Sequence, residues 1–375
     1  MTAAPYRLYG ASHSLYTGKV RCYLRNQGID YREVPTWHPD FAERILPRIG
    51  RGIIPVLETP EGQVIQDSID IIDHLEAQGV PFPVYPSTPL QHIVAVSTEY
   101  YGCHAMLKHA IHYRWSYRAE QEAFLRCAFT LGSGADMADK IMGRMNSYLP
   151  RLGVNQASIP LIERSYHELL ALLEAHFTQV PYLLGWRPSI ADYGLIAPMF
   201  AHLGRDPVPL AVMQQRAPRV LRWVERMTAP GLDVVEYPQH APAFFADDTL
   251  PATLEAVLRH IADEIFPELT DKLVFVQAWL DEHQPVDGSP VSERPQIRQV
   301  GMVQTRFRGA DIEVGVEPYL LYLLQRASAV MQAQSADKQQ ALTVELKRLG
   351  LADALPVQHT YQVGRRDNLE CWLKV

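Results

Sequence analysis

The sequence predicts three folded parts: an α/β domain over residues 1–83, an all-helical domain over residues 90–230, and an additional α+β extension over residues 231–375. Three observations predict them. At 375 residues the chain is too long for one ordinary core. Its opening alternates short apolar β-type runs with helical patterns, and from His92 helical patterns dominate. After about Leu232 alternating apolar runs return between helices, and such alternation belongs to a segment that packs.

The first strand is Tyr6-Arg7-Leu8-Tyr9, followed by a polar loop from Gly10 to Thr17 and a helix under way at Lys19 that Gly28 stops. Asp30 to Val34 is the second strand, and Trp37 to Gly52 reads as helix and loop. Ile53 to Glu76 then supplies β-β-α, which completes a β-α-β-β-β-α order. Pro55 lies inside the apolar run Ile53 to Thr59; having no N–H, it predicts an edge position and a cis bond. Ile54 then offers its backbone groups to a ligand. Pro60-Glu61-Gly62 is turn chemistry that pairs the flanking strands, and Gln66-Asp67-Ser68 opens a helix whose free N–H groups attract a carboxylate.

This ordered set, a proline before Val56, a glycine turn and an acidic-then-serine step before an Ile-rich helix, resembles the glutathione-binding half of the glutathione S-transferase superfamily. The resemblance implies a thioredoxin-like domain followed by the family's all-α C-terminal domain. It implies that Ile54 beside Pro55 pairs with the cysteinyl backbone of glutathione. Ser68 and the helix N-terminus then hold the γ-glutamyl carboxylate, and Asp67, following Gln66, lies near its amine. Ile53 stands where the family often carries a lysine or glutamine that holds the glycyl end, so either Arg48, Arg51 or His38 substitutes or that contact is missing.

A glutathione thiol needs help to ionise, and a hydroxyl at a helix N-terminus gives it. Ser14 ranks first, because counting back from Lys19-Val20-Arg21 it falls where the family's serine and cysteine classes carry their catalytic residue. Tyr9 and Tyr16 follow. The blander expectation for Ser14 is a helix cap. Cys22 lies inside the helix and reads as a core residue, which counts against thiol-disulfide exchange.

The proline-rich stretch from Gly79 to Pro89 reads as a linker, and His92 to Tyr117 as one long helix. By analogy that helix borders the electrophile pocket, which makes Tyr100, Tyr101, His104 and Met106 pocket candidates; core placement is the competing expectation. Ile159 to Phe177 is amphipathic, and Ser189 and Asp192 have capping-box spacing in a stretch that resembles the family's C-terminal folding signature. Pro218 to Trp223 opens a further helix. In the extension, Thr249 to His283 reads as one or two helices and Val303 to Val316 as strands around Gly309. Helices are expected over Tyr319 to Gln332 and Ala336 to Leu349, then a terminal hairpin with Leu369, Cys371, Leu373 and Val375 on one face.

With 47% hydrophobic and 21% charged residues and a net charge of −7, the chain reads as globular, with no basic run to attract nucleic acid. No apolar run is long enough for a membrane helix and no leader is visible, so cytoplasmic location is expected. The four cysteines show no metal spacing. The expected activity is glutathione transfer to a small hydrophobic electrophile in a homodimer, with no metal. A glutathione-dependent lyase, etherase or isomerase, and a non-catalytic binding or assembly protein, are the alternatives.

Overall fold

The structure is a computed structural model that describes residues 5–232, 234–238, 240–292, 294–352 and 360–375. The first domain runs β1 (Tyr6–Gly10), α1 (Leu15–Asn26), β2 (Tyr31–Pro35), α2 (Leu46–Ile49), β3 (Val56–Glu58), β4 (Val64–Gln66) and α3 (Ser68–Ala77). The helical domain comprises α4 (Pro89–Tyr100), α5 (Leu107–Trp115), α6 (Arg118–Ser133), α7 (Ala135–Asn146), α8 (Ile159–His176), α9 (Ile190–Ala201), α10 (Pro207–Arg216) and α11 (Pro218–Thr228). The extension runs α12 (Ala252–His283), β5 (Gly301–Phe307), β6 (Ala310–Val316), α13 (Tyr319–Gln332), α14 (Ala336–Arg348), β7 (Tyr361–Arg366) and β8 (Leu369–Lys374).

The first sheet has the order β2-β1-β3-β4, with β1 and β2 parallel and the other pairs antiparallel. This is the thioredoxin-like arrangement, and it leaves β4 as an edge strand beside α3. Ile53 and Ile54 stand outside the ladder: the Ile54–Pro55 bond is cis and pairing starts at Val56.

The long helix expected over His92 to Tyr117 is interrupted by a π turn at Tyr101–Ala105, which separates α4 from α5. There the chain crosses α9 backbone to backbone. A Cβ on Gly102 would lie 2.4 Å from the carbonyl oxygen of Gly194, and one on Gly194 2.3 Å from Cα of Glu99. The same crossing holds the expected capping box. The Ser189 N–H and hydroxyl both donate to Asp192, whose other oxygen accepts from the N–H of Leu183 and the indole of Trp223. Helices α6 and α7, to which the sequence reading assigned no element, form a satellite around Leu125, Phe129 and Met142.

The extension shares one continuous core with the other two parts, reaching from Leu8 to Trp372. The stretch read over Thr249 to His283 holds one helix, α12, which starts at Ala252 and runs through Pro267. Strands β5 and β6 pair from Gly301↔Val316 to Phe307↔Ala310. Helix α13 ties α3 to the linker: Tyr322 donates to Asp70 of α3 at 2.6 Å, and Arg326 donates to Asp73 and to Tyr85. In the terminal hairpin the buried face differs from the expected one. Leu373 is only partly covered and Val375 is 77% exposed, whereas Glu370 and Trp372 are buried with Cys371. The reason is that β8 turns Trp372 onto Trp279 and aims Glu370 at arginines, while Gly288 and Val291 pair with its backbone.

Helix α12 is fastened to the helical domain by charge. Lys108 pairs with Glu268, and Glu264 accepts from Tyr101, Ser165 and Arg308. Burial alone would raise the Glu264 carboxyl, but His109, His260, Ser165 and Arg308 around it hold it down at about 2. A depressed folded-state value stabilises the fold above the ordinary glutamate range. That stability, roughly 3 kcal/mol, is lost as pH falls from 4.5 towards about 2. Urea unfolding at stepped pH should show this loss in the unaltered chain and a flatter profile in Glu264→Gln; parallel profiles would contradict the assignment.

Candidate functional site

The cleft is built where α1, the loop before β3 and the start of α3 converge. Asp67 takes φ 104°, a conformation L-residues rarely adopt, and caps α3 by accepting from the N–H of Ile69 at 2.9 Å. Such strain is stored where the surroundings over-determine it, commonly at ligand sites. Tyr16, Ile54, Pro55, Gln66, Asp67, Ser68 and His104 surround one cavity together with Arg298 and Tyr319 of the extension. Its volume is about 30 Å³, room for a water or two.

The hairpin between β7 and β8 meets the polar groups beside this cavity. Its Arg365 places a guanidinium 3.0 Å from one oxygen of Asp67 and 2.9 Å from Asp70. Asn368 accepts the Gln66 N–H at 2.9 Å and directs its amide N–H towards Val64 O at 3.5 Å, as a residue of an added strand would on an open edge. Glu370 pairs with Arg51 and accepts from Arg298 at 2.8 Å and Arg365 at 3.1 Å. Arg51 thus spans from the Gln66 side chain to the hairpin. Burial would raise the Asp67 carboxyl, yet Arg365, Arg298, the Ile69 N–H and Lys19 hold it well below the usual range.

The three hydroxyl candidates lie in different settings. Tyr9 is fully buried, packed with Val34, Phe41 and Val56, and is not among the residues that line this cavity. Its hydroxyl donates to Glu58 at 2.9 Å, and burial with that bond pushes it up to about 12. Tyr16 lines the cavity but donates to Cys103 O at 2.8 Å, and burial raises it well above its ordinary value. Ser14 caps α1 by accepting from the N–H of Thr17 at 3.4 Å; its own proton has no acceptor among the described residues.

The pocket candidates separate in the same way. His104 lines the cavity, stacks on Tyr100 at 5.7 Å and meets the tilted ring of Tyr319 at 5.6 Å. Burial and the Arg298 charge push its imidazole down to about 3, so it is neutral near pH 7. Tyr101 and Met106 are fully buried away from that wall, Tyr101 because Glu264 takes its hydroxyl and Met106 because it packs in the main core. Sequence reasoning missed Arg298, Tyr319, Arg365, Asn368 and Glu370. The clustered charges Arg365-Arg366-Asp367-Asn368 in a predicted turn were their only visible signal. Among the described residues no three His, Cys, Asp or Glu side chains converge on a metal position, and no helix is long and apolar enough to cross a membrane.

Cys22 is buried and its thiol is pushed up to about 12 by that burial; Cys103 is buried and raised as well, while Cys127 is exposed. Alkylation of the folded protein, read by peptide mass, should therefore mark Cys127 and spare Cys22 and Cys103. Rapid labelling of Cys22 before unfolding would contradict this placement.

Comparison with known proteins agrees with this architecture. Residues 8–81 match the model of the glutathione S-transferase N-terminal domain, and residues 156–226 match that of the glutathione S-transferase C-terminal domain. These two matches support the glutathione S-transferase superfamily, and everything after residue 226 lies outside both. No curated protein is significantly similar to the chain. Among solved structures, a glutathione S-transferase from Xanthobacter autotrophicus Py2 is 21% identical with a TM-score of 0.37, over 61% of this chain and 96% of its own. One from Rhodospirillum rubrum F11 is 20% identical with a TM-score of 0.39, over 58% and 86%. Glutathione transferase GSTFuA3 from Phanerochaete chrysosporium is 17% identical with a TM-score of 0.44, over 62% and 100%.

Proposed function

We propose that this protein binds glutathione through its first domain and presents the thiolate to a small hydrophobic electrophile, as a transferase of the serine type. The observation that carries the reading is what the hairpin does in the cleft. A guanidinium sits on Asp67 and a side-chain amide pairs with the Gln66 N–H, so the site takes a cation and a peptide-like carbonyl side by side. The γ-glutamyl end of glutathione offers that pair as an ammonium and an amide, with its carboxylate suited to Ser68 at the start of α3. Ile54 beside Pro55 remains on the cavity wall for the cysteinyl backbone.

Of the three hydroxyls, Ser14 suits the sulfur best. Tyr9 and Tyr16 have committed their protons to Glu58 and to Cys103 O, whereas Ser14 accepts a backbone bond and keeps its proton to donate. Donation to sulfur, with the positive end of α1 nearby, favours thiolate over thiol. The thiolate then forms a bond to an electrophilic carbon as the leaving group departs with its electron pair. His104 and Tyr100 are the first candidates for the electrophile's wall. The same thiolate serves a lyase, etherase or isomerase reaction.

A second reading, a binding or assembly protein without turnover, is favoured by the cavity of about 30 Å³, which has no room for a tripeptide. Titration calorimetry with glutathione, followed by ultraviolet absorbance of bound thiolate, separates the two. The transferase reading expects binding weakened roughly 10- to 100-fold by Asp67→Asn, as for loss of a charge-assisted bond, and a thiolate signal lost in Ser14→Ala. Binding that never yields thiolate, or no binding at all, would favour the second reading.

A further inference from the structure

We infer that the β7–β8 hairpin is a tethered competitor for the glutathione cleft, so that the extension regulates access to it; this inference rests on the glutathione reading above. The contacts are divided along the hairpin in a way that suits a gate. Its base is anchored away from the cleft: Trp372 is fully buried against Trp279, and the Gln325 side chain of α13 pairs with both the N–H and C=O of Val363. Its tip supplies the groups that meet the cleft. Arg365 takes Asp67, Asn368 takes the Gln66 N–H, and Glu370 takes Arg51.

The tip duplicates ligand chemistry on the cleft's own groups, and a ligand that needs Asp67 and the β4 edge cannot bind until Arg365 and Asn368 leave them. An anchored base keeps the tip at high effective concentration, so it competes at any protein concentration. Apparent affinity for glutathione then falls by the fraction of time the cleft is open. The turn itself does not need these side chains. Asp367 and Asn368 have φ 49° and 65°, the conformation of a two-residue turn in which glycine at the second position is favoured. Removing the Asn368 side chain therefore leaves the hairpin able to form.

The test uses the full chain in four forms: unaltered, Asn368→Gly, Arg365→Ala and the double variant. Each is titrated with glutathione by calorimetry, with near-ultraviolet circular dichroism to establish that the core is intact. Asn368→Gly guards against misfolding, since it suits the turn. The expected result is at least 10-fold tighter binding in Asn368→Gly and a further gain in the double variant. Equal affinity in all folded forms would overturn the competitor and leave the glutathione reading standing. No binding in any folded form would overturn both.

Discussion

A carboxylate on the final strand meets the arginines that join the two ends of the protein. Glu370, 7% exposed, lies against Arg51 of the first domain and against Arg298 and Arg365 of the extension. Arg365 in turn faces Asp67 and Asp70, so three guanidinium groups and three carboxylates share one enclosed region. Buried charges are tolerated only in such balance. Taking away one partner leaves another unpaired at a cost of about 3–5 kcal/mol. The seating of the hairpin and the placing of Arg51 follow from this cluster.

The same cluster explains why the cleft is formed yet narrow. An edge strand carries unpaired N–H and C=O groups, and proteins cover such edges. Here the cover is a side-chain amide rather than a strand, and it reaches β4 and the Arg48 carbonyl of α2. The cavity beyond it keeps a polar wall from α3 and an aromatic wall of Tyr16, His104 and Tyr319. Helix α13 supports this from outside by tying α3 to the linker through Asp73 and Tyr85.

Much of the first domain was legible because local chemistry decides it. The proline before Val56, the turn at Gly62 and the cap at Asp67 each act within a few residues, and each is where the sequence places it. The Ser189–Asp192 box is equally local. What was not legible depends on partners far along the chain. Glu370 lies 319 positions from Arg51, and in an alternating strand a charge reads as the solvent face, so the hairpin's inward side was assigned to Leu373 and Val375. The π turn at Tyr101 lies where Gly102 crosses Gly194, a contact again invisible locally. Tyr9 and Tyr16 read as candidate hydroxyls because sequence names the group but not the acceptor that takes its proton.

Hydrogen exchange at the Gln66 amide tests the central claim most directly, because that N–H sits on an edge strand and the Asn368 side chain accepts from it. The account predicts strong protection in the unaltered chain without ligand, and faster exchange there in Asn368→Gly while the amides of β3 stay protected. Rapid exchange at Gln66 in the unaltered chain, or protection unchanged by the substitution, would contradict a hairpin seated in the cleft.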